Sequence, residues 1–135
     1  MAKIIVSSII LISFKAAVIS SLNIQQTPQR LLMTTEQTEA KLKCHHGDAS
    51  YPYMYWYQQK TVSDSIELIG MLQYGTSTPE EKFKARFNIS GHATGDAFLL
   101  ISSITTEDSA VYFCAASIHT YSEAYFGAGT KLTVL

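Results

Sequence analysis

The stretch Asp108-Ser109-Ala110-Val111-Tyr112-Phe113-Cys114 decides the fold of this chain when it is read together with Cys44 and Trp56 upstream. The sequence contains two cysteines and one tryptophan, and a tyrosine, Tyr112, stands shortly before the second cysteine. This combination is typical of a sandwich of two antiparallel β-sheets, in which each sheet supplies one cysteine from a central strand and the indole packs against the disulfide. The alternative interpretation is a pair of unrelated buried thiols in a cytosolic domain.

Length and composition predict a single domain without a strongly charged surface. At 135 residues the chain has room for one domain. The formal net charge is −1 and charged residues make up 16% of the chain, which argues against a nucleic-acid surface or a polybasic membrane patch. The hydrophobic fraction of 47% is high for a small domain because many apolar residues are concentrated at the N-terminus.

Residues 1–21 are predicted to be a secretory signal peptide. Lys3 precedes an uncharged, mostly apolar run over residues 4–14, which is shorter than the ~20 residues that a membrane span needs. Cleavage close to Ser21 would leave residues 22–135 as the mature domain. The alternative is an uncleaved amphipathic or buried helix. A secreted chain matures in an oxidising compartment, where a disulfide is chemically reasonable.

Alternation of apolar and polar residues along short segments predicts about nine β-strands and no helix longer than a turn. The eight clearest segments are 22–27, 40–44, 53–59, 66–72, 83–89, 97–101, 111–115 and 126–135, with loops at 61–65 and 73–78 and a short helical turn at 105–109. Trp56, Leu99 and Tyr112 are predicted to lie in the core between the two sheets. The predicted fold class is therefore an all-β sandwich with antiparallel sheets.

One predicted strand has an unusual outward face. Tyr55, Tyr57 and Gln59 point away from the core if Met54 and Trp56 point into it. Solvent would favour charged side chains at such positions, and none is present. This uncharged aromatic row predicts contact with a second protein sheet.

Residues that might carry catalysis or bind a metal do not form a recognisable site. His45 and His46 are adjacent and therefore point to opposite faces of a strand, without the spacing of zinc ligands. Gly127-Ala128-Gly129 lacks the third glycine and the helix of a phosphate-binding loop. Ser109 beside Asp108 lacks the surroundings of a catalytic serine. The sequence predicts a protein that is not an enzyme and that uses no cofactor or metal.

Two smaller features concern modification and structure. Asn88-Ile89-Ser90 fits the acceptor sequence for N-glycosylation, and Asn88 is predicted to face outward between two inward residues. An unused acceptor sequence is the alternative. Arg86 and Asp108 are predicted to form a bidentate ion pair that closes one end of the sandwich in a structural role.

These motifs together resemble an antigen-receptor variable domain of the immunoglobulin superfamily. The residues that carry the resemblance are Trp56-Tyr57-Gln58-Gln59, the stretch from Asp108 to Cys114, and Phe126-Gly127-Ala128-Gly129-Thr130. The resemblance implies a V-type sandwich with Greek-key connections and one inter-sheet disulfide between Cys44 and Cys114. It also implies a V segment to about residue 116, a junction at about 117–120 and a joining segment at about 121–135.

Within that superfamily the chain looks like a T-cell receptor beta chain from a non-mammalian vertebrate. The supporting motifs are Glu67-Leu68-Ile69-Gly70, Tyr112-Phe113-Cys114-Ala115-Ala116-Ser117 and the Thr27-Pro28 entry. An alpha chain can share Cys-Ala-Ala-Ser but not the Leu-Thr-Val-Leu ending. An immunoglobulin lambda light chain shares that ending but usually carries Arg-Phe-Ser-Gly-Ser where this chain has residues 86–90. A non-rearranging V-type adhesion or innate receptor is a further alternative.

The resemblance to beta chains implies three hypervariable loops, at residues 48–53, 71–76 and 115–125, that contact a peptide presented by a histocompatibility molecule. The implied antigen-binding residues are Ser50, Tyr51, Tyr53, Gln73, Tyr74, Ile118, His119, Thr120 and Tyr121. The implied interface with an alpha-chain variable domain consists of Tyr55, Tyr57, Gln59, Phe113 and Phe126. The family also implies transport through the secretory pathway to the cell surface, with signalling subunits reached through constant and transmembrane regions outside this sequence.

Overall fold

The computed structural model describes residues 22–135, so the predicted signal peptide at residues 1–21 lies outside the described residues. The described part contains eleven strands and a 3-10 turn at Thr106–Asp108. The strands are β1 (Gln25–Thr27), β2 (Arg30–Met33), β3 (Glu39–His45), β4 (Tyr53–Gln59), β5 (Glu67–Gln73), β6 (Thr76–Pro79), β7 (Phe87–Gly91), β8 (Asp96–Ser102), β9 (Ala110–Ser117), β10 (Tyr125–Phe126) and β11 (Thr130–Val134). Over the same residues, no helix has the length and apolar character to cross a membrane.

The strands form two sheets, which confirms the predicted all-β sandwich. One sheet has four strands in the order β1-β3-β8-β7, and the other has seven, in the order β2-β11-β9-β4-β5-β6 with β10 also paired to β9. The chain passes between the sheets after β1, β2, β3, β6 and β8, and the crossings after β3, β6 and β8 give the Greek-key connectivity. The only parallel pair among the described strands is β2 with β11.

The predicted disulfide crosses the core. Cys44 of β3 and Cys114 of β9 are bonded with their Cα atoms 6.4 Å apart, and each belongs to a different sheet. Trp56, Leu99 and Tyr112 are all fully buried beside it. A cross-link over a loop of 70 residues restricts the unfolded chain and contributes about 4 kcal/mol on the entropic model. The alternative of two unrelated thiols is therefore wrong.

The first strand is shorter than the predicted segment at residues 22–27, and a second strand that was not predicted follows it. Pro28 ends β1, because proline has no N–H to donate to a strand ladder. The chain then crosses to the other sheet, where β2 pairs with β11 and Leu32 lies opposite Thr133. The alternation in this region is too short to predict a second strand.

Three further segments differ from the predicted strands. Residues 83–86 form a turn, with the N–H groups of Phe83 and Lys84 both bonded to the carbonyl of Glu80. Phe83 is nevertheless only 5% exposed. Because this buried residue lies on a turn next to β7, the apolar and polar residues alternate from position 83 although the strand begins at Phe87. The predicted loop at 73–78 contains β6, and Gly127–Gly129 separates β10 from β11. The strands β2, β6 and β10 had no predicted segment of their own, and they bring the number of strands among residues 22–135 to eleven.

Candidate functional site

Three loops meet at one end of the seven-stranded sheet. They join β3 to β4 (residues 46–52), β5 to β6 (residues 74–75) and β9 to β10 (residues 118–124). Tyr53 at the start of β4 lies opposite both Gln73 of β5 and Ser117 of β9, so the loops begin side by side. Loops on a rigid scaffold are where binding residues concentrate. We call these three loops and their adjoining strand ends the loop surface.

The residues predicted to bind antigen all lie on the loop surface: Ser50, Tyr51, Tyr53, Gln73, Tyr74, Ile118, His119, Thr120 and Tyr121. Tyr121 is 86% exposed, and Tyr74 is 53% exposed. Tyr51 and Tyr53 are half-buried. Tyrosine offers a large amphipathic contact area at low cost in conformational entropy, so this surface is chemically suited to binding another protein.

Two of the predicted loops are shorter than expected. Residues 71–73 belong to β5 and pair with β4 and β6, which leaves a two-residue turn at Tyr74 and Gly75. Tyr74 has φ 52°, in the left-handed region that such tight hairpin turns require. Residues 115–117 are buried in β9. The predicted limits at 71–76 and 115–125 were therefore too wide, because backbone pairing extends the strands into them.

His46 organises the first loop. Its Nε2 lies 2.6 Å from the carbonyl oxygen of Ala93, and its Nδ1 accepts a 3.0 Å hydrogen bond from the backbone N–H of Asp48. These two contacts fit a neutral ring with the proton on Nε2. Burial disfavours the charged form and lowers the pKa of His46, although the bond to Ala93 and the charge of Asp48 oppose this shift. The neutral ring therefore holds the loop to the turn between β7 and β8.

Aromatic and backbone contacts connect the first loop to its neighbours. The Tyr51 ring meets both His46 and Tyr125 edge-on, with centroids 6.0 Å apart in each pair. The N–H of Tyr74 donates to the carbonyl of Pro52 at 2.8 Å. The first loop thus contacts both the second turn and the base of the third loop. A change in one loop is expected to alter the others.

The third loop is held at its base by serine hydroxyls. Ser117 Oγ donates to the carbonyl of His119 at 2.8 Å, and Ser122 Oγ accepts from the N–H of His119 at 3.0 Å. The hydroxyl of Tyr55 lies 3.1 Å from Ser117 Oγ. The rings of His119 and Tyr121 stack with centroids 5.2 Å apart. Short polar bonds therefore shape the base and leave the tip exposed.

The outer side of the seven-stranded sheet carries the residues predicted to pair with another domain: Tyr55, Tyr57, Gln59, Phe113 and Phe126. The Tyr57 ring lies 5.4 Å from that of Phe126 and 6.4 Å from that of Tyr55. Phe126 is 49% exposed. The side-chain nitrogen of Gln59 donates to the carbonyl of Asp64 at 2.8 Å. We call these five residues the pairing face; four of them are aromatic and none is charged.

Gln26 is a structural residue that the sequence did not reveal. Its Oε1 accepts from the N–H groups of Cys114 and Gly129 at 3.2 and 2.9 Å, and its Nε2 donates to the carbonyl of Tyr112 at 2.9 Å. Gly129 has φ +96°, and a Cβ there would lie 2.9 Å from the Phe113 ring. Gln26 and the glycine bulge therefore fix the backbone beside the pairing face.

Arg86 and Asp108 lie together at the opposite end of the sandwich from the loop surface. Two parallel bonds of 2.9 and 2.8 Å join the guanidinium to the carboxylate, which also accepts from the N–H of Thr105. Burial opposes ionisation of Asp108, but the bonds from Arg86 and Thr105 outweigh it and lower the pKa of Asp108. The hydroxyl of Tyr112 donates to the carbonyl of Asp108 at 2.6 Å, which ties this corner to the core.

Comparisons with known proteins agree with this geometry. Residues 26–135 match the model of the family described as "Immunoglobulin V-set domain". The mouse (Mus musculus) "T-cell receptor beta chain V region CTL-F3" is 36% identical over 117 residues, with 82% of each chain covered. The rabbit (Oryctolagus cuniculus) "Ig kappa chain V region K-25" is 33% identical over 114 residues, which are 84% of this chain and 98% of that one.

Two other matches give similar values. The mouse "T-cell receptor alpha chain V region 2B4" is 31% identical over 118 residues, with 85% of each chain covered. A solved structure described as "Structural basis of T cell specificity and activation by the bacterial superantigen toxic shock syndrome toxin-1" contains a chain with a TM-score of 0.74 and 30% identity. That match covers 83% of this chain and 98% of the other. The relatives are receptor variable regions of three chain types.

Proposed function

Because this chain belongs to the immunoglobulin V-set domain family and is similar to antigen-receptor variable regions, we propose that it is the antigen-recognition domain of a T-cell receptor beta chain. The family and its relatives are binding modules and not enzymes. They place this kind of domain outside the cell or at its surface. The beta assignment is supported by the 36% identity to a mouse beta V region together with the beta-type motifs in the sequence.

The observation that carries the proposal is the pairing face. It lies on the outer side of β4, β9 and β10, where Tyr57 stands opposite Phe113. Aromatic residues are enriched and charged residues depleted at the centres of protein interfaces. An alpha-chain variable domain presenting a similar aromatic sheet would cover this face. The loops of that alpha-chain domain would then lie beside the loop surface of this chain.

Recognition would occur at the loop surface. The third loop exposes Tyr121, Ile118 and the stacked His119, and it is the segment in which a junction would vary between receptors. The first and second loops present Tyr51 and Tyr74 on either side. We propose that the third loop meets a presented peptide while the other two contact the histocompatibility molecule.

A co-expression experiment tests the pairing. Phe126→Asp and Gln59→Glu place charge on the pairing face without touching the core, since both side chains are accessible. A central interface position typically contributes about 2 kcal/mol, or roughly a 30-fold change in affinity. We expect the double variant to lose its alpha-chain partner on co-purification. Leu32→Asp is the matched control, because Leu32 is a 67% exposed apolar residue of the same sheet on its far edge strand. Wild-type yield of the complex with the double variant would contradict the proposal.

An immunoglobulin light-chain variable domain is the second candidate, because the rabbit kappa region is 33% identical and almost all of that protein is covered. The transcript downstream of the Leu135 codon separates the two candidates, since the constant region identifies the chain. A non-rearranging receptor is separated by comparing cells of one animal. Sequence diversity confined to about residues 116–125 supports rearrangement, whereas one invariant sequence contradicts it.

The signal peptide at residues 1–21 stays a prediction. N-terminal sequencing of protein secreted by eukaryotic cells would test it. A mature protein beginning within a few residues of position 22 is the expected result, and a secreted or retained protein that still begins at Met1 would contradict cleavage.

A further inference from the structure

Asn88 lies on the outer side of the four-stranded sheet, on its edge strand β7. Phe87 and Ile89 on either side of it are 5% and 2% exposed and point into the core, whereas Asn88 is exposed. An edge strand has no neighbour on one side, so a bulky substituent on Asn88 has free space around it.

The sequence around Asn88 is the acceptor for N-linked glycosylation. Asn88-Ile89-Ser90 has the required serine two positions after the asparagine, and the middle residue is not proline. The other asparagine of the chain, Asn23, is followed by Ile24 and Gln25 and lacks the hydroxyl residue. Asn88 is therefore the single candidate acceptor in the sequence.

Two apolar side chains lie beside Asn88 on the same outer surface. Leu100 of β8 is directly opposite Asn88, and Phe98 is directly opposite Ser90. Both side chains are half-buried. The ammonium group of Lys41 lies 4.5 Å from the centre of the Phe98 ring and covers part of it. The middle of this surface is thus apolar although it faces solvent, and the protein itself covers it only in part.

We propose that Asn88 carries an N-linked glycan whose first sugars lie over Leu100 and Phe98. Side chains directly opposite each other on antiparallel strands have Cβ atoms about 4.5–5.5 Å apart, and diagonal neighbours are about 7–8 Å apart. The first sugar therefore reaches Leu100, and the next reaches Phe98. The C–H faces of the sugars remove this apolar area from water, and their hydroxyl groups keep the surface soluble.

The glycan covers the outer side of the four-stranded sheet and leaves the pairing face and the loop surface accessible. The four-stranded sheet is on the opposite side of the sandwich from the pairing face, which includes Phe126. A glycan at Asn88 therefore permits pairing and directs it to the seven-stranded sheet. The inference rests on the proposed function in one respect, which is entry of the chain into the secretory pathway.

Expression of the whole chain in eukaryotic secretory cells tests the modification. We expect peptide-N-glycosidase F to lower the mass of the secreted protein in one step. Asn88→Gln and Ser90→Ala should each abolish that step, and the control Asn23→Gln should keep it. Secreted wild-type protein that is unmodified at Asn88 would overturn the inference and leave the receptor proposal intact. A chain that never enters the secretory pathway would contradict both.

Hydroxyl-radical labelling tests whether the glycan shields Phe98 and Leu100 from solvent. We expect Phe98 and Leu100 to be labelled less in the glycosylated protein than after enzymatic deglycosylation, while labelling of Phe126 on the opposite sheet stays constant. The glycosidase converts Asn88 to aspartate, so the variant Asn88→Asp, which is never glycosylated, is the matched control and should be labelled like the deglycosylated protein. Equal labelling of Phe98 and Leu100 in all three proteins would show that the glycan does not lie over them.

Discussion

Replacing Gln26 with methionine is expected to destabilise the domain strongly although Gln26 lies in a short edge strand of three residues. Its amide group makes three hydrogen bonds, to the N–H groups of Cys114 and Gly129 and to the carbonyl of Tyr112. Methionine has a similar length and makes none of them. Gly129 is partly exposed, so water can replace its bond, but Cys114 and Tyr112 are fully buried.

The magnitude follows from the two groups that water cannot reach. A buried backbone donor or acceptor left without a partner costs about 1–3 kcal/mol, so two of them give roughly 2–6 kcal/mol. A domain of this size is stable by about 5–15 kcal/mol, so the loss is a large share of the total. We expect the free energy of unfolding to fall by that amount.

Denaturant unfolding of the oxidised protein, followed by Trp56 fluorescence, measures this loss. The control is Gln25→Met, because Gln25 precedes Gln26 on the same strand and is exposed. Exposed substitutions usually change stability by less than about 0.5 kcal/mol. If Gln26→Met were as stable as Gln25→Met, the three bonds would not contribute to folding as argued.

Two further predictions concern pH and buried charge. Asp108→Ala should destabilise the domain by about 2 kcal/mol, because the N–H of Thr105 loses its acceptor and Arg86 keeps only the carbonyls of Ser102 and Ser103, and Asp108→Asn should cost less. Since the folded-state pKa of Asp108 is lowered, its contribution to stability is present above the usual aspartate pKa and is lost as pH falls through the lower folded value. Urea unfolding at several acidic pH values should therefore show a smaller dependence of the free energy of unfolding on pH for Asp108→Asn than for the wild type. An equal pH dependence in the two proteins would contradict the lowered pKa of Asp108. The pKa of His46 is also lowered, so the unfolded state takes up its proton first and stability should fall as pH drops below 6.5 through the folded pKa. NMR titration of the His46 ring should place its proton on Nε2 at neutral pH, and a ring that titrates at or above 6.5 would contradict the loop contacts described here.

The residues that the sequence identified have a local signature. The two cysteines, the single tryptophan and the Asp108 to Cys114 stretch stand at a spacing that few folds share. Period-two alternation along β4 placed Trp56 inward and Tyr57 outward, and the structure shows that burial pattern over the whole strand. Such patterns are readable because successive strand residues point to opposite faces whatever the strand pairs with.

Residues whose role depends on distant partners were missed. Gln26 resembles any exposed glutamine in the sequence, yet its partners are at positions 112, 114 and 129. His46 was weighed as a metal ligand, whereas its contacts are the backbone groups of Asp48 and Ala93. A polar residue in a short strand gives no local signal of burial, since burial is set by what packs over it.

The sequence by itself determined that the chain forms a disulfide-linked sandwich with an uncharged aromatic face, because side-chain order along each strand encodes which side is buried. The tertiary structure alone decided where the strands end and how they join. The residues after Pro28 form β2 because they pair with β11. The second and third loops of the loop surface are short because β5 and β9 remain paired with β4 as far as Gln73 and Ser117. Hydrogen bonds between segments far apart in the chain set these limits, and no single segment contains that information.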